Sequence, residues 1–366
     1  MYKKLFVISI ILLGAVLLSA CSGPVRGTTW PGLSADNTTA YLADGSFVYA
    51  INIKDGREVW HFPAKVDSKL LFYAPPVLTP DGLVIVGSAG NDHSLFALDP
   101  ANLDPETQSP LAAWTFTAAK DQWMASPLII GDKLFAPNGD GNLYVLDLDD
   151  GQSNKQAVKT IELGGRLWAQ PVTDGERVFV TSLDHSVIAV DIETYEILWR
   201  EEVNGAIPGS ATLGTDGMLY VGSLASKLEK FDPLSGEHQT VLETENWIWS
   251  APAVDGDTLY FGDLSGNFYS FNAATATLNW SIKPDGPITA NALVQNDHVL
   301  LATESGVLYA IGKDGSTLWF EEIGGQLYTT PVVAGDLILV APLGTDFYLA
   351  ALNTEGRQVW TFTPER

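Results

Sequence analysis

The five histidines, His61, His93, His185, His238 and His298, are the side chains best suited to hold a metal or move a proton near neutral pH. No two stand at the short spacing that gathers ligands around zinc, so no metal site is expected from them. The run Asp147-Leu-Asp149-Asp150-Gly151 begins like a calcium loop. It then has Gln152 where such a loop needs Gly and Val158 where it needs a bidentate Glu, so it reads as an acidic turn. Nucleophile elbows, phosphate-binding loops and dinucleotide fingerprints do not occur. The Asp-Gly pairs at Asp44, Asp81, Asp216, Asp255, Asp285 and Asp314 sit where turns are expected, the Asp bonding local backbone and the Gly taking positive φ. The sequence thus carries no assignable catalytic residue.

Aromatic side chains are the more informative set. The chain has 11 Trp, 12 Tyr and 15 Phe among 366 residues, and they recur. Trp249-Ser-Ala-Pro252 leads into Asp255-Gly-Asp-Thr-Leu-Tyr-Phe-Gly262, then Gly266-Asn-Phe-Tyr-Ser-Phe-Asn272, then Thr277-Leu-Asn-Trp280. The same order returns around Tyr328, Pro331 and Trp360, around Trp168, Pro171 and Trp199, and around Tyr73, Pro76 and Trp114. A first copy opens at Trp30 and Leu33 and ends at Trp60, and weaker copies lie around Met124, Ile207 and Ile288. Positions equivalent to Pro252 fall at Leu33, Pro76, Pro127, Pro171, Ser210, Asn291 and Pro331.

Each unit contains four short apolar or alternating runs separated by turn residues, and no helical period is sustained. Four strands in roughly 40 residues is the arithmetic of a propeller blade, so an all-β, eight-bladed β-propeller of four-stranded antiparallel blades is expected over 30–366. The polar, Pro-rich stretch Pro100–Pro110 reads as a loop between the outer two strands of its blade. Trp60, Trp114, Trp199, Trp280, Trp319 and Trp360 close their units and are expected to dock each blade on its neighbour. The third and fifth units lack this Trp and should dock less tightly.

The closing pattern is similar to the tryptophan-docking repeat of the PQQ-type (quinoprotein-like) propellers. The quinoprotein dehydrogenases with this repeat hold pyrroloquinoline quinone (PQQ) and calcium beside a disulfide of adjacent cysteines. Here the single cysteine, Cys21, excludes such a pair. The compact plan instead resembles the BamB-type lipoproteins, eight-bladed propellers that scaffold the outer-membrane assembly machinery. That resemblance implies a non-catalytic binding protein with envelope proteins as partners, no cofactor, and a monomeric propeller. A PQQ-dependent oxidoreductase and a glycan-binding propeller are the alternatives. In such a fold the first strand of each blade lines the channel. Trp30, Tyr73, Met124, Trp168, Ile207, Trp249, Ile288 and Tyr328, with the adjacent Trp123, should then ring its mouth. Lys120, Arg166 and Gln326 would reach in as polar arms. An aromatic ring of this kind would suit a planar ligand or a peptide, or simply pack the blade interfaces.

The N-terminus reads as an address. Lys3 and Lys4 precede the uncharged run from Leu5 to Ala20, which falls short of the roughly 20 apolar residues of a membrane span. Leu18-Ser19-Ala20-Cys21 resembles the lipobox of bacterial lipoproteins. It implies a signal peptide over 1–20, lipidation at Cys21, a flexible tether over 21–29, and attachment to the cell membrane or outer membrane on its periplasmic or extracellular face. The 44 acidic against 20 basic residues, a formal charge of −24, argue against a nucleic-acid partner.

Overall fold

A computed structural model of the chain describes residues 30–365. The expected leader, Cys21 and the tether lie outside them. Within them 32 strands form eight four-stranded antiparallel sheets, each a meander in chain order. The blades span 32–62, 77–116, 128–162, 172–202, 212–243, 253–282, 293–322 and 332–362. Among the described residues there is no helix. The expected eight-bladed β-propeller is the fold.

Blade 6 shows why these residues make these strands. Its inner strand, Ala253–Asp255, is short and half-buried. The second and third, Thr258–Gly262 and Phe268–Asn272, are buried on both faces because a neighbouring blade covers each, and both read as continuous apolar runs. The outer strand, Thr277–Ile282, borders solvent and is polar except at Trp280 and two aliphatic positions. The cores lie between blades. Leu42 and Leu339 share one cluster across blades 1 and 8, and Val180 and Phe135 share another across blades 4 and 3.

The closing tryptophans do join blades. A small residue stands opposite each one, Ala50, Ala97, Ala189, Ser270, Ala310 or Ala351, beside a bulge that aims the indole sideways. Trp199 donates to the carbonyl of Pro233 and Trp280 to that of Lys313, each in the next blade and at 2.9 Å. The indole then lies over a turn glycine of that blade. A Cβ at Gly236, Gly315, Gly356 or Gly56 would come within 3.0 Å of Trp199, Trp280, Trp319 or Trp360 respectively. Trp60 and Trp114 are buried, Trp114 beneath the ammonium of Lys155.

Blades 3 and 5 lack the indole: Lys159 pairs with Val145, and Thr240 with Glu229. The blades that follow them carry Tyr195 and Ala276 at positive φ in their corresponding turns, where Trp199, Trp280, Trp319 and Trp360 each lie over a glycine. Tyr195 packs on Phe135 of blade 3, with centroids 6.2 Å apart, and fills the space from the other side. The stretch expected as a loop over 100–110 is partly strand. Leu95–Leu103 continues the third strand of blade 2, and Pro110–Phe116 is the fourth, leaving only 104–109 as the turn. Asp104 holds that turn by accepting from the amides of Glu106 and Thr107, which frees Pro100 and its neighbours to extend the ladder.

Candidate functional site

Two kinds of segment build one face of the ring: the loop entering each blade and the hairpin between its second and third strands. A repeated backbone bond ties them. The amides of Ala89, Gly139, Leu183, Leu224, Leu264, Glu304 and Leu343 donate to the carbonyls of Leu71, Gln122, Arg166, Ala206, Trp247, Pro287 and Gln326. With this bond fixed, the residue two places after the carbonyl turns to the channel in blades 3 to 8. Side chains of adjacent blades then close the inner wall. Ser126 donates to the carbonyl of Pro75 at 2.7 Å, Thr212 to that of Pro252 at 2.7 Å, and Thr329 to that of Pro31.

Part of the expected ring lines one cavity, and its register is corrected in two blades. Ile207 and Ile288 are buried between blades, in the row of Leu167, Ile248 and Leu327. The channel positions are the next residues, Pro208 and Thr289, both of which line the cavity. The equivalents of Pro252 are accordingly Ala211 and Ala292 rather than Ser210 and Asn291. Both weak units have Ala in place of Pro, which hid the register.

Trp30, Trp168, Trp249, Tyr328 and Gln326 all line the mouth. The ring of Trp30 meets Trp168 edge-on at 6.5 Å and Trp249 at 6.2 Å. These residues open blades 1, 4 and 6, which are not neighbours, so the indoles meet across the channel. Tyr73 is buried against Met124 and Ala89, beneath Trp30 and Trp168, and supports the ring rather than lining it. Trp123 does not face the channel. It is 0% exposed, packed on Phe116 and Tyr144, with its indole donating to the carbonyl of His93 at 2.8 Å. It occupies the buried row of Leu167, one residue before the channel position. Arg166 also points away, exposed and 3.7 Å from Asp121. Its amide-bonding carbonyl belongs to the scaffold, and its side chain leaves by the rim.

The cavity has a volume of about 920 Å³. Its walls carry amides and hydroxyls from Gln170, Ser210, Asn291 and Thr330, and one charged group, Glu304. Burial pushes the Glu304 carboxyl above its ordinary range, with the Thr289 hydroxyl opposing. Tyr328, which enters the adjacent blade 8 and lines the same cavity, is held above its ordinary value by burial and by the charge of Glu304. No Lys, Arg or His is among the described lining residues. Glu304 and Thr289 had not been expected here. The signal for Glu304 lies in the hairpin row, where the other six residues are Ala, Gly or Leu and only blade 7 carries a charge.

Comparison with known proteins bears on the whole ring. The model of the family described as outer membrane protein assembly factor BamB matches residues 19–240, 154–283, 239–319 and 287–366. A BamB of Burkholderia pseudomallei is 23% identical over 137 residues, 34% of this chain and 35% of that protein, so the chain spans about a third of that relative's length. A BamB of Shewanella oneidensis is 20% identical over 76% of this chain and 70% of its own. The crystal structure of BamB from Moraxella catarrhalis superposes with a TM-score of 0.66 at 20% identity, over 87% of this chain and 92% of that one, which is a likeness of fold. With the family model matched through every blade, the chain belongs to the family of the outer membrane protein assembly factor BamB.

Proposed function

We propose that the protein is a lipid-anchored binding and scaffold protein of the cell envelope, acting in outer-membrane protein assembly through protein–protein contacts. The observation that carries this reading is a family likeness running through all eight blades and not confined to one loop. Cys21 would carry the lipid, and the stretch 22–29 would join it to Trp30 at the channel mouth, so the propeller would hang from the same face that presents the aromatic ring. That face also exposes Trp247, 47% accessible on the rim beside Trp249. An exposed Trp beside an aromatic cavity is a typical anchor for a partner's surface.

A PQQ-type cofactor is a planar quinone bearing carboxylates and held with a divalent cation. The cavity lining, with one carboxylate and no basic side chain among its described residues, does not fit that group. Trp30 also lies between Trp168 and Trp249, where a flat cofactor would have to slide in. A non-catalytic role therefore accounts better for the lining.

The test is crosslinked recovery of the lipidated full chain from its own cells, beside a Cys21→Ser control. Enrichment of envelope proteins, outer-membrane assembly components among them, is expected. Recovery no greater than the control's would count against the reading.

A further inference from the structure

The charge at Glu304 is the one departure from the hairpin pattern, and its surroundings say what it is for. Six of the seven equivalent positions hold residues too small or too apolar to bind anything polar. Blade 7 alone puts a carboxylate there, on a hairpin fixed by the bond from the Glu304 amide to the Pro287 carbonyl at 2.9 Å. A half-buried carboxylate is costly unless a cation or several donors attend it. None of the described ion pairs involves it, and no basic side chain is among the described residues that line the cavity. Trp249, Tyr328 and Trp30 line the same cavity, and an aromatic ring attracts a cation to its face.

We infer that the channel mouth is a cation cage, in which the side chain of an arginine or lysine from a partner protein enters between Trp249, Tyr328 and Trp30 and pairs with Glu304. This rests on the scaffold reading and sharpens it: the partner presents a basic side chain on an extended segment. Charge complementarity selects that occupant. The whole protein is acidic, with a formal charge of −24, and its field draws a basic segment toward the mouth. Within the mouth the aromatic faces favour the same sign. An anionic glycan would be repelled by Glu304. A free polyamine shares the charge but lacks the backbone that the wall amides of Asn291 and Gln326 can grip.

The test is a selection of random twelve-residue peptides on the full-length protein and, in parallel, on Glu304→Gln. Arg and Lys should be enriched at one position on the wild type and not on the variant. For a selected peptide, replacing that Arg by citrulline, its uncharged isostere, should weaken binding about tenfold. Glu304→Gln should weaken it by a similar factor, and Glu304→Asp by less. Free arginine and spermidine should compete only at far higher concentration. Unchanged tryptophan emission and urea midpoint in Glu304→Gln would show that the fold is kept. Selected peptides without a basic residue, or binding indifferent to both citrulline and Glu304→Gln, would overturn the cage. Loss of envelope partners from the wild-type pull-down with cationic peptide binding intact would sink the scaffold reading alone and leave the cage standing.

Discussion

The indole of Trp360, in the last strand, donates a hydrogen bond of 2.9 Å to the carbonyl of Ile53 in the first blade. Its ring lies over Gly56, where a Cβ would come 2.6 Å from it. Each sheet is made of consecutive strands, so no strand from one end of the chain completes a blade at the other. Among the described residues the ring closes through side chains. It uses the Trp360 dock, the Thr329 hydroxyl on the Pro31 carbonyl, and the core cluster shared by Leu33, Leu42, Leu339 and Ala351. The closure thus repeats the indole dock seen between blades 4 and 5 and between blades 6 and 7.

Trp360→Ala should therefore cost about as much as removing any docking indole, about 2–4 kcal/mol, and open the ring at one place. Trp360→Phe keeps most of the apolar contact and loses the hydrogen bond, for about 1 kcal/mol. Urea midpoints rank the two variants, and hydrogen exchange locates the damage. Faster exchange confined to blades 1 and 8 in Trp360→Ala is expected. Uniform acceleration around the ring would show that the joint is not local.

The turn glycines give a prediction with opposite signs at equivalent positions. Gly356 has φ of +82° and a Cβ there would come 2.5 Å from Trp319, so Gly356→Ala should destabilise by about 1–3 kcal/mol. Ala276, after the blade without an indole, has φ of +53°. Glycine there relieves about 1 kcal/mol or more of left-handed strain and returns part of it through a freer unfolded chain, leaving Ala276→Gly stabilising by about 0.5 kcal/mol. Thermal melts of both variants decide. A loss in both would mean that the turns are set by something other than the neighbouring indole.

The fold was legible because a single spacing carries it: the indole at the end of each unit and the Asp-Gly turns fix strand count and order without any tertiary knowledge. The site was legible only where aromatic residues marked the register, at Trp30, Trp168, Trp249 and Tyr328. In blades 5 and 7 the marker is absent, and Ile207 and Ile288 take the place of Pro208 and Thr289 in a reading by similarity of type. Trp123 misled for the converse reason, since an indole fills a buried slot that the other described blades fill with Leu, Ile or, in blade 2, Phe72. Glu304 is distant in sequence from every ring residue. It reaches the mouth only through the hairpin-to-loop bond, a contact between segments that a pattern within strands does not show.

His61 supplies a prediction about pH. Its Nδ1 lies 2.6 Å from a Glu58 carboxylate oxygen, and that bond raises the imidazole pKa above its ordinary 6.5, with burial opposing and the Glu58 charge adding to the rise. A raised histidine contributes stability that is complete below the unfolded value and is lost as pH rises through the folded one. The advantage of the wild type over Glu58→Gln should therefore be full on the acid side of about 6.5 and shrink on the alkaline side. Proton NMR of the imidazole reads the shift directly. Titration of His61 at the same pH in both proteins would refute the coupling.

Trp30→Ala separates the two uses of tryptophan in this chain. Trp30 lies at the start of the first blade, partly open to solvent, and its main contacts are the edges of Trp168 and Trp249 across the channel. Each edge contact is worth about 0.5–1.5 kcal/mol, and Trp30 also packs on the cluster of Tyr73, Ala89 and Met124, but the ring is only partly buried, so the urea midpoint should fall less than for Trp360→Ala. The mouth, by contrast, should open. Trp168 and Trp249 lose the partner that covers them, so acrylamide should quench the remaining emission more steeply, and the near-ultraviolet circular dichroism of the coupled indoles should weaken. The same two signals should barely move in Trp360→Ala, whose indole stands at the outer joint far from the axis. A Trp30→Ala protein that loses as much stability as Trp360→Ala, with quenching unchanged, would make Trp30 one more docking residue and leave the channel mouth without its central ring.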